Sequence, residues 1–503
     1  MVLLVRPNRC RIFAPPSQEL ENLMSHDRRL DDPAYVQYPL LATLKFEYEF
    51  FAFGVDAATR AAGLFASPRQ QRINLLVAQS LIDAASPANT FIGNVAAQRE
   101  ARRTGGKSVL QGVSHFTRDM CTHQGMPDLV DTSSFKVGVN LAVTPGVVVH
   151  REELFELLRY DPVTPQVYDV PLLMVPPPIG RYYVLDMAPG RSYVETAVAA
   201  GHTVYMISWR NPPAEMGETS FADYVTRGTM AAMDAIPAAK VNMAAVCLGG
   251  TLATMTAAYV AALGTERINS LTLIVTLTDF SGDTGAMGAM IDRKAVEDIR
   301  AETSKVGFLS AEKMAAGFRY LKPADLIWGP AGRQWLLGED PPAMDLLTWN
   351  ADGTRLPWLM HYQYLMSCYV DNDFAEGRMV IGDHVLDMHA ITIPLYVVAA
   401  EEDHIVPRDT ALTGASLTGG PRRLVVARGG HIGGIVAPPS DRAWYKVGDD
   451  SFSGPEWFDS VELHRGSWWS DWTEWVKPLA GSLTAPPLAG GNLGAAPGTY
   501  VFG

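Results

Sequence analysis

The sequence predicts an α/β fold, with a parallel sheet covered by helices on both faces and a mostly helical N-terminal domain before it. After residue 165, short continuous apolar runs alternate with helical stretches, which is typical of buried parallel strands joined by helices. Before that residue, apolar side chains such as Ile73, Leu76 and Val77 recur at helical spacing. The composition, 48% hydrophobic and 19% charged, provides enough apolar sequence for a large core.

Six apolar runs are predicted as strands, because Gly, Pro or polar residues bound each of them. They are residues 172–175, 203–209, 241–246, 271–277, 395–399 and 423–426. Between residues 280 and 389 this alternation stops, and tryptophans and turn residues become frequent. We interpret that region as a cap inserted over the carboxyl edge of the sheet.

The chain therefore divides into predicted segments of different composition. They are a loose leader at 1–33, the helical domain at 34–165, the sheet domain at 166–485 with its cap at about 280–389, and a Gly/Ala/Pro-rich tail at 486–503.

Composition also excludes several classes of function. The net charge of -13 argues against a nucleic-acid-binding protein. The four cysteines are far apart and form no CxxC pair, so we predict neither a metal site nor a disulfide framework, and no cofactor. No apolar stretch is long enough for a signal peptide or a membrane span. We therefore expect a cytoplasmic protein without a transmembrane segment.

The strongest chemical signal follows the predicted strand 241–246, where the chain reads AVCLGG over residues 245–250. A nucleophile between a strand and an Ala-rich helix, with small residues two positions before and after it, is the nucleophile elbow of the α/β-hydrolase fold. Ala245 and Gly249 are these small residues, and Cys247 takes the place of the usual serine. The N-terminus of the helix favours a thiolate there.

The acid and the base are expected further along the chain, just past later strands. In this fold the order is nucleophile, acid, histidine, which matches Cys247, Asp403 and His431. His404 competes with His431 for the role of base. We favour His431 because the glycines around it permit close approach by a substrate.

An oxyanion hole is expected from two backbone N–H groups. One belongs to Leu248, which follows the nucleophile. The other lies in the loop after the first strand, which begins with three prolines at 176–178. Proline has no N–H, so the second donor is Ile179 or Gly180.

These motifs, taken together, resemble the polyhydroxyalkanoate synthase family over nearly the whole chain. Besides the Cys247 segment, the similar stretches are 135–151, 171–186, 201–212, 340–357, 402–407, 430–439 and 496–501. Three positions depart from the family pattern: Ala245 replaces a glycine, Pro178 replaces a tryptophan, and 327–330 differs from a Trp-Asn-Tyr-like segment.

The resemblance implies an acyltransferase that polymerises (R)-3-hydroxyacyl-CoA thioesters and releases CoA. It implies that Cys247 carries the growing chain, that His431 is the general base and that Asp403 is its partner. It also implies a homodimer of a single subunit type, and attachment to the surface of polymer granules.

Two other functions remain open from the sequence. One is a thioesterase or polyester hydrolase on the same fold, although such enzymes commonly use serine and the chain contains no GxSxG. The product from hydroxybutyryl-CoA, free acid or insoluble polymer, separates that function from polymerisation. The other is a non-catalytic granule-associated homologue, which the departures Ala245 and Pro178 keep open.

Overall fold

The structure, a computed structural model, describes residues 27–123, 125–449, 452, 454, 456–487 and 493–503. Residues 1–26 of the predicted leader, which include Cys10, and residues 488–492 of the predicted tail lie outside the described residues. The chain forms two compact units. The first comprises Met1–Asp128 and Tyr320–Asp340, and the second comprises Leu129–Arg319 and Pro341–Gly503. The segment boundaries given above stay predictions.

The second unit is built on a ten-stranded mixed sheet. In chain order its strands are β1 Gly146–Arg151, β2 Phe155–Tyr160, β3 Leu172–Val175, β4 Val204–Trp209, β5 Val241–Val246, β6 Ile268–Ile274, β7 Leu395–Ala400, β8 Arg422–Ala427, β9 Trp444–Asp449 and β10 Leu463–Arg465. In space the order is β1-β2-β4-β3-β5-β6-β7-β8-β9-β10. Strands β3 to β8 are parallel, and antiparallel strands extend the sheet at both edges.

The six parallel strands β3 to β8 correspond to the six predicted strands. The largest difference is in β6, which ends at Ile274 instead of residue 277. Val275 adopts a φ of 44°, so the extended conformation stops there.

Helices cover both faces of this sheet. The helices that pack on its strands are α5 Tyr193–Ala199, α6 Leu248–Ala262, α12 Arg408–Ala415, α13 His431–Ile435 and α14 Trp468–Val476. The second unit also contains α7 Gly285–Met290, α8 Arg293–Val306, α9 Ala311–Arg319, α10 Asp345–Ala351 and α11 Trp358–Tyr364. Alternate side chains of one strand enter opposite cores, because neighbouring strand residues point to opposite faces. Leu173 and Val175 of β3 belong to one buried cluster, whereas Leu172 and Met174 belong to the other. The strands are therefore buried on both sides, as their continuous apolar runs predict.

The first unit is mostly helical. Its principal helices are α1 Pro39–Gly63, α2 Pro68–Ala85, α3 Val95–Arg103 and α4 Lys107–Thr122. The segment Tyr320–Asp340 packs among them. Trp335 of this segment donates its Nε1–H to the buried Asp119 carboxylate at 2.8 Å, and its ring meets Phe116 edge-on at 5.3 Å. Gly112 is needed at this contact, because a Cβ there would lie 2.2 Å from the Trp335 carbonyl oxygen.

Among the residues that the structure describes, none of the helices has the length and the apolar character needed to cross a membrane.

Candidate active site

Cys247 lies at the sharp turn between β5 and α6, at the carboxyl edge of the sheet. Its φ of 51° and ψ of -125° are strained for a residue that carries a side chain. Two backbone bonds hold the turn: the Cys247 amide donates to the Ile274 carbonyl at 2.9 Å, and the Cys247 carbonyl accepts from the Gly250 amide at 2.8 Å. The Cys247 side chain is partly exposed, so the turn leaves its sulfur accessible at the N-terminus of α6.

Small residues surround the turn because strand and helix come very close together. A Cβ on Gly249 would lie 2.5 Å from the Val175 carbonyl oxygen and 2.6 Å from the Pro176 carbonyl oxygen. Ala245 is fully buried in β5, paired with Val175 on one side and Leu273 on the other. The spacing that indicated an elbow therefore reflects direct backbone contact.

His431 and Asp403 form a hydrogen-bonded pair. His431 Nδ1 lies 2.7 Å from Asp403 Oδ2, and both side chains are buried. The other carboxylate oxygen, Oδ1, accepts from the amides of Ile405 and Val406, each at 2.9 Å. The carboxylate is thus fixed by its own loop and presents one oxygen to His431. His404, the competing histidine, lies on that same loop. Its backbone packs closely against Gly285, because a Cβ added to that glycine would lie 2.4 Å from the His404 carbonyl oxygen.

The charges around His431 favour its protonated form. Burial by itself lowers the pKa of this imidazole, but negative charge on Cys247 and then on Asp403 outweighs burial. The net effect raises the pKa of His431 from its ordinary 6.5 to about 10. Protonated His431 is therefore stabilised by the Cys247 sulfur and by the Asp403 carboxylate.

Two of the predicted oxyanion donors lack a backbone partner among the described residues. Leu248 is the first residue of α6, so its N–H has no partner within the helix. Neither the Leu248 N–H nor the Ile179 N–H donates to another backbone group among the described residues, whereas the Gly180 N–H reaches the Pro177 carbonyl at 3.4 Å. Of the two predicted alternatives in the proline loop, Ile179 is the one whose N–H is left free.

Three aromatic side chains lie in the apolar cluster against which Cys247 packs, and no sequence motif predicted them. Phe280, Tyr364 and Tyr369 are packed in the same apolar cluster as Cys247. Their rings touch one another, with centroids separated by 4.8 Å for Phe280–Tyr369 and 5.5 Å for Tyr364–Tyr369. Burial, the neighbouring Tyr369 and negative charge on Cys247 together raise the pKa of Tyr364 well above its ordinary value. Both tyrosines are therefore neutral apolar walls at physiological pH.

One group of side chains in the first unit has ligand atoms close enough to hold a metal ion. The ligand atoms of Asp119, His123 and Asp128 lie within 4.8 Å of one another. However, Arg118 Nη2 lies 3.1 Å from a carboxylate oxygen of Asp119 and 3.1 Å from one of Asp128. A guanidinium therefore already neutralises these acids, and the cluster forms a salt-bridge network.

Comparison with known proteins identifies the family. A family model for the N-terminus of poly-beta-hydroxybutyrate polymerase matches residues 26–197, and a model for the alpha/beta hydrolase fold matches residues 190–438. The poly(3-hydroxyalkanoate) polymerase subunit PhaC of Cupriavidus necator is 35% identical over 497 residues, which cover 95% of this chain and 83% of that protein. The chain belongs to the poly(3-hydroxyalkanoate) polymerase family.

Other polymerases of this family match to a similar extent. The poly(3-hydroxyalkanoate) polymerase of Methylorubrum extorquens is 35% identical over 92% of this chain and 77% of that protein. Poly(3-hydroxyalkanoate) polymerase 1 of Ectopseudomonas oleovorans is 33% identical over 95% of this chain and 86% of that protein. The resemblance predicted from the sequence is confirmed, as are the acyltransferase class and the α/β-hydrolase fold with a helical N-terminal region.

Proposed function

We propose that the chain polymerises (R)-3-hydroxyacyl-CoA into polyhydroxyalkanoate and releases CoA, through a thioester on Cys247. The observation that carries this proposal is the arrangement of Cys247, His431 and Asp403 in a chain of the poly(3-hydroxyalkanoate) polymerase family. Relatives named as polymerases align along nearly the whole of this chain, which supports a polymerising activity.

In the first step, the Cys247 sulfur attacks the thioester carbonyl of the substrate. The new C–S bond to Cys247 forms, the bond to the CoA sulfur breaks, and CoA leaves with a proton from the His431 imidazolium. The N–H groups of Leu248 and Ile179 would stabilise the oxyanion of the tetrahedral intermediate. One thioester replaces another, so the acyl group stays activated.

In the second step, the hydroxyl of another hydroxyacyl unit attacks the thioester held on Cys247. His431 takes the hydroxyl proton, an oxoester bond forms, and the C–S bond to Cys247 breaks. Exchange of a thioester for an oxoester is downhill, so elongation needs no nucleotide. This agrees with the absence of a GxxxxGK[ST] phosphate loop from the sequence.

The aromatic group formed by Phe280, Tyr364 and Tyr369 supports transfer over hydrolysis. Water that reached the acyl-Cys247 would release free acid and end the chain. Aromatic rings near the sulfur would reduce that access.

The nucleophile is tested by cysteine substitution. Cys247→Ala should abolish CoA release from 3-hydroxybutyryl-CoA, because Cys121 and Cys368, the other cysteines that the structure describes, lie within helices and not at an elbow. Cys121→Ala, on an exposed residue, and Cys368→Ala, on a buried residue whose thiol pKa burial raises, should retain most of it. CoA release is followed together with turbidity from the polymer.

The same assay separates the alternatives. CoA release with free 3-hydroxybutyrate and no polymer would identify a thioesterase. No CoA release by the unmodified protein would identify a non-catalytic homologue, and release that persists in Cys247→Ala would exclude Cys247 as the nucleophile.

We further propose that the first unit attaches the enzyme to its polymer product. Three phenylalanines on α1, at positions 46, 50 and 53, expose 68%, 69% and 60% of their surface, and the first two stack at 6.5 Å. Their spacing puts them along one stripe of the helix, which is an apolar surface suited to an aliphatic polyester. The homodimer implied by the resemblance stays a prediction.

A further inference from the structure

A threonine hydroxyl holds the peptide group that carries one of the candidate oxyanion donors. Thr354 Oγ1 donates to the Pro178 carbonyl at 2.8 Å, and Thr354 is 3% exposed. This threonine follows α10, in the region that the sequence analysis interpreted as the cap. It therefore lies far along the chain from the loop that it contacts.

The geometry of the peptide unit gives this bond its importance. The Pro178 carbonyl and the Ile179 N–H belong to one planar peptide group, which is trans. In a trans peptide the C=O and N–H vectors point in opposite directions, so a partner that fixes the carbonyl also fixes the direction of the N–H. A hydrogen bond to the carbonyl also polarises the amide and makes its N–H a stronger donor.

Other contacts hold the loop at its ends. Trp209 Nε1–H donates to the Pro176 carbonyl at 2.8 Å, and Trp349 Nε1–H donates to the Arg181 carbonyl at 2.7 Å. Gly180 also forms a bridge with Gly353. These contacts restrain the loop on either side of the Pro178–Ile179 peptide, whereas the Thr354 hydroxyl bonds to that peptide itself.

We propose that Thr354 is a positioning residue for the oxyanion hole, acting through the orientation of the Ile179 N–H. The inference rests on the proposed acyl transfer at Cys247 and adds a residue that contacts neither the nucleophile nor the base. It connects a side chain after α10 with stabilisation of the tetrahedral intermediate.

The test compares three substitutions. Thr354→Val keeps the size of the side chain and removes the hydroxyl, whereas Thr354→Ser keeps the hydroxyl. Thr418→Val is the matched control, because Thr418 is also buried, at 4% exposed, and its Oγ1 donates to a backbone carbonyl, that of Ala415, at 2.8 Å. If Thr354→Val does not fold, Thr354→Ala takes its place.

Two reactions of Cys247 are measured for each variant: single-turnover acylation by 3-hydroxybutyryl-CoA, and alkylation by iodoacetamide, which forms no oxyanion. Loss of one oxyanion donor lowers kcat by roughly 10²–10³-fold. A misdirected donor in Thr354→Val should therefore slow acylation by about 10–100-fold. Alkylation should stay close to the unmodified rate. Thr354→Ser and Thr418→Val should acylate nearly normally.

Several outcomes would overturn the inference. The first is that Thr354→Val is acylated as fast as Thr418→Val. The second is that Thr354→Ser is acylated as slowly as Thr354→Val. The third is that Thr354→Val loses alkylation by the same factor as acylation, which would indicate a disturbed site. Failure of the unmodified protein to acylate Cys247 would instead overturn the proposed function, and the inference with it.

Discussion

The His431 imidazole interacts with two negative charges, and they are not both present throughout the reaction. In the free enzyme, negative charge on Cys247 raises the pKa of His431 more than the charge on Asp403 does, and the hydrogen bond to Asp403 raises it further. Once Cys247 is acylated, its sulfur is part of a neutral thioester, and Asp403 is the remaining anion bonded to His431. In the proposed mechanism, deprotonation of a hydroxyl by His431 during elongation therefore depends on Asp403 more than acylation does.

This difference predicts unequal effects of Asp403→Asn on the two steps. Loss of the aspartate from a serine protease triad lowers the turnover rate by about 10⁴-fold. For Asp403→Asn we expect the rate of elongation to fall by at least about 100-fold. Acylation of Cys247 should fall by about 10-fold or less, because a thiol needs less help than a hydroxyl. To measure both steps, labelled hydroxyacyl-CoA is added, the reaction is quenched with acid, and protein-bound label and polymer are counted separately.

His431→Gln is the control for this prediction, since it removes the proton carrier itself and should fail at both steps. Equal losses of acylation and elongation in Asp403→Asn would show that Asp403 only orients His431.

At the scale of elements, the turn between β5 and α6 combines backbone strain with the side chain that we propose as the nucleophile. The left-handed φ of 51° at Cys247 is unfavourable for any residue with a Cβ, but glycine adopts it freely. Cys247→Gly should therefore be more stable than Cys247→Ala by about 1 kcal/mol, although both lack the thiol and neither is active.

Urea denaturation of the two variants under the same conditions measures this difference. Equal stability, or a more stable alanine variant, would mean that the strand and the helix impose the conformation without detectable strain.

The parts of the site that the sequence predicts are those set by local spacing. The elbow is visible because Ala245, Cys247 and Gly249 are close in sequence. The small residues among them are required because α6 begins very close to the end of β3 and because β5 is buried between β3 and β6. Thr354 and the aromatic group around Cys247 gave no such signal, because they reach the site only through tertiary folding. The early end of β6 was likewise hidden, since Thr276 and Leu277 continue the apolar run while the φ of Val275 ends the strand.

At the scale of the whole molecule, the exposed stripe on α1 should determine attachment to polymer. Replacing Phe46, Phe50 and Phe53 together by serine removes the stripe without removing buried side chains. We expect a smaller fraction of this variant to pellet with polymer granules, and CoA release in solution close to that of the unmodified enzyme.

A matched variant tests whether the effect is specific to α1. Leu110, Val113 and Met120 on α4 expose 73%, 57% and 45% of their surface in the same unit. An equal loss of pelleting after their replacement by serine would show that attachment depends on general apolarity and not on the α1 stripe.

The composition of the first unit from two separate stretches has a consequence for synthesis on the ribosome. Tyr320 is 192 positions beyond Asp128, because 320 − 128 = 192. At about 5–20 residues per second, translation of that interval takes roughly 10–40 s. Throughout that interval, Asp119 and Phe116 have been synthesised but Trp335 has not. Trp335 is the residue that donates a hydrogen bond to Asp119 and packs against Phe116. Strands β3 to β6 are completed in the same interval, so the growing chain carries two unfinished cores at once.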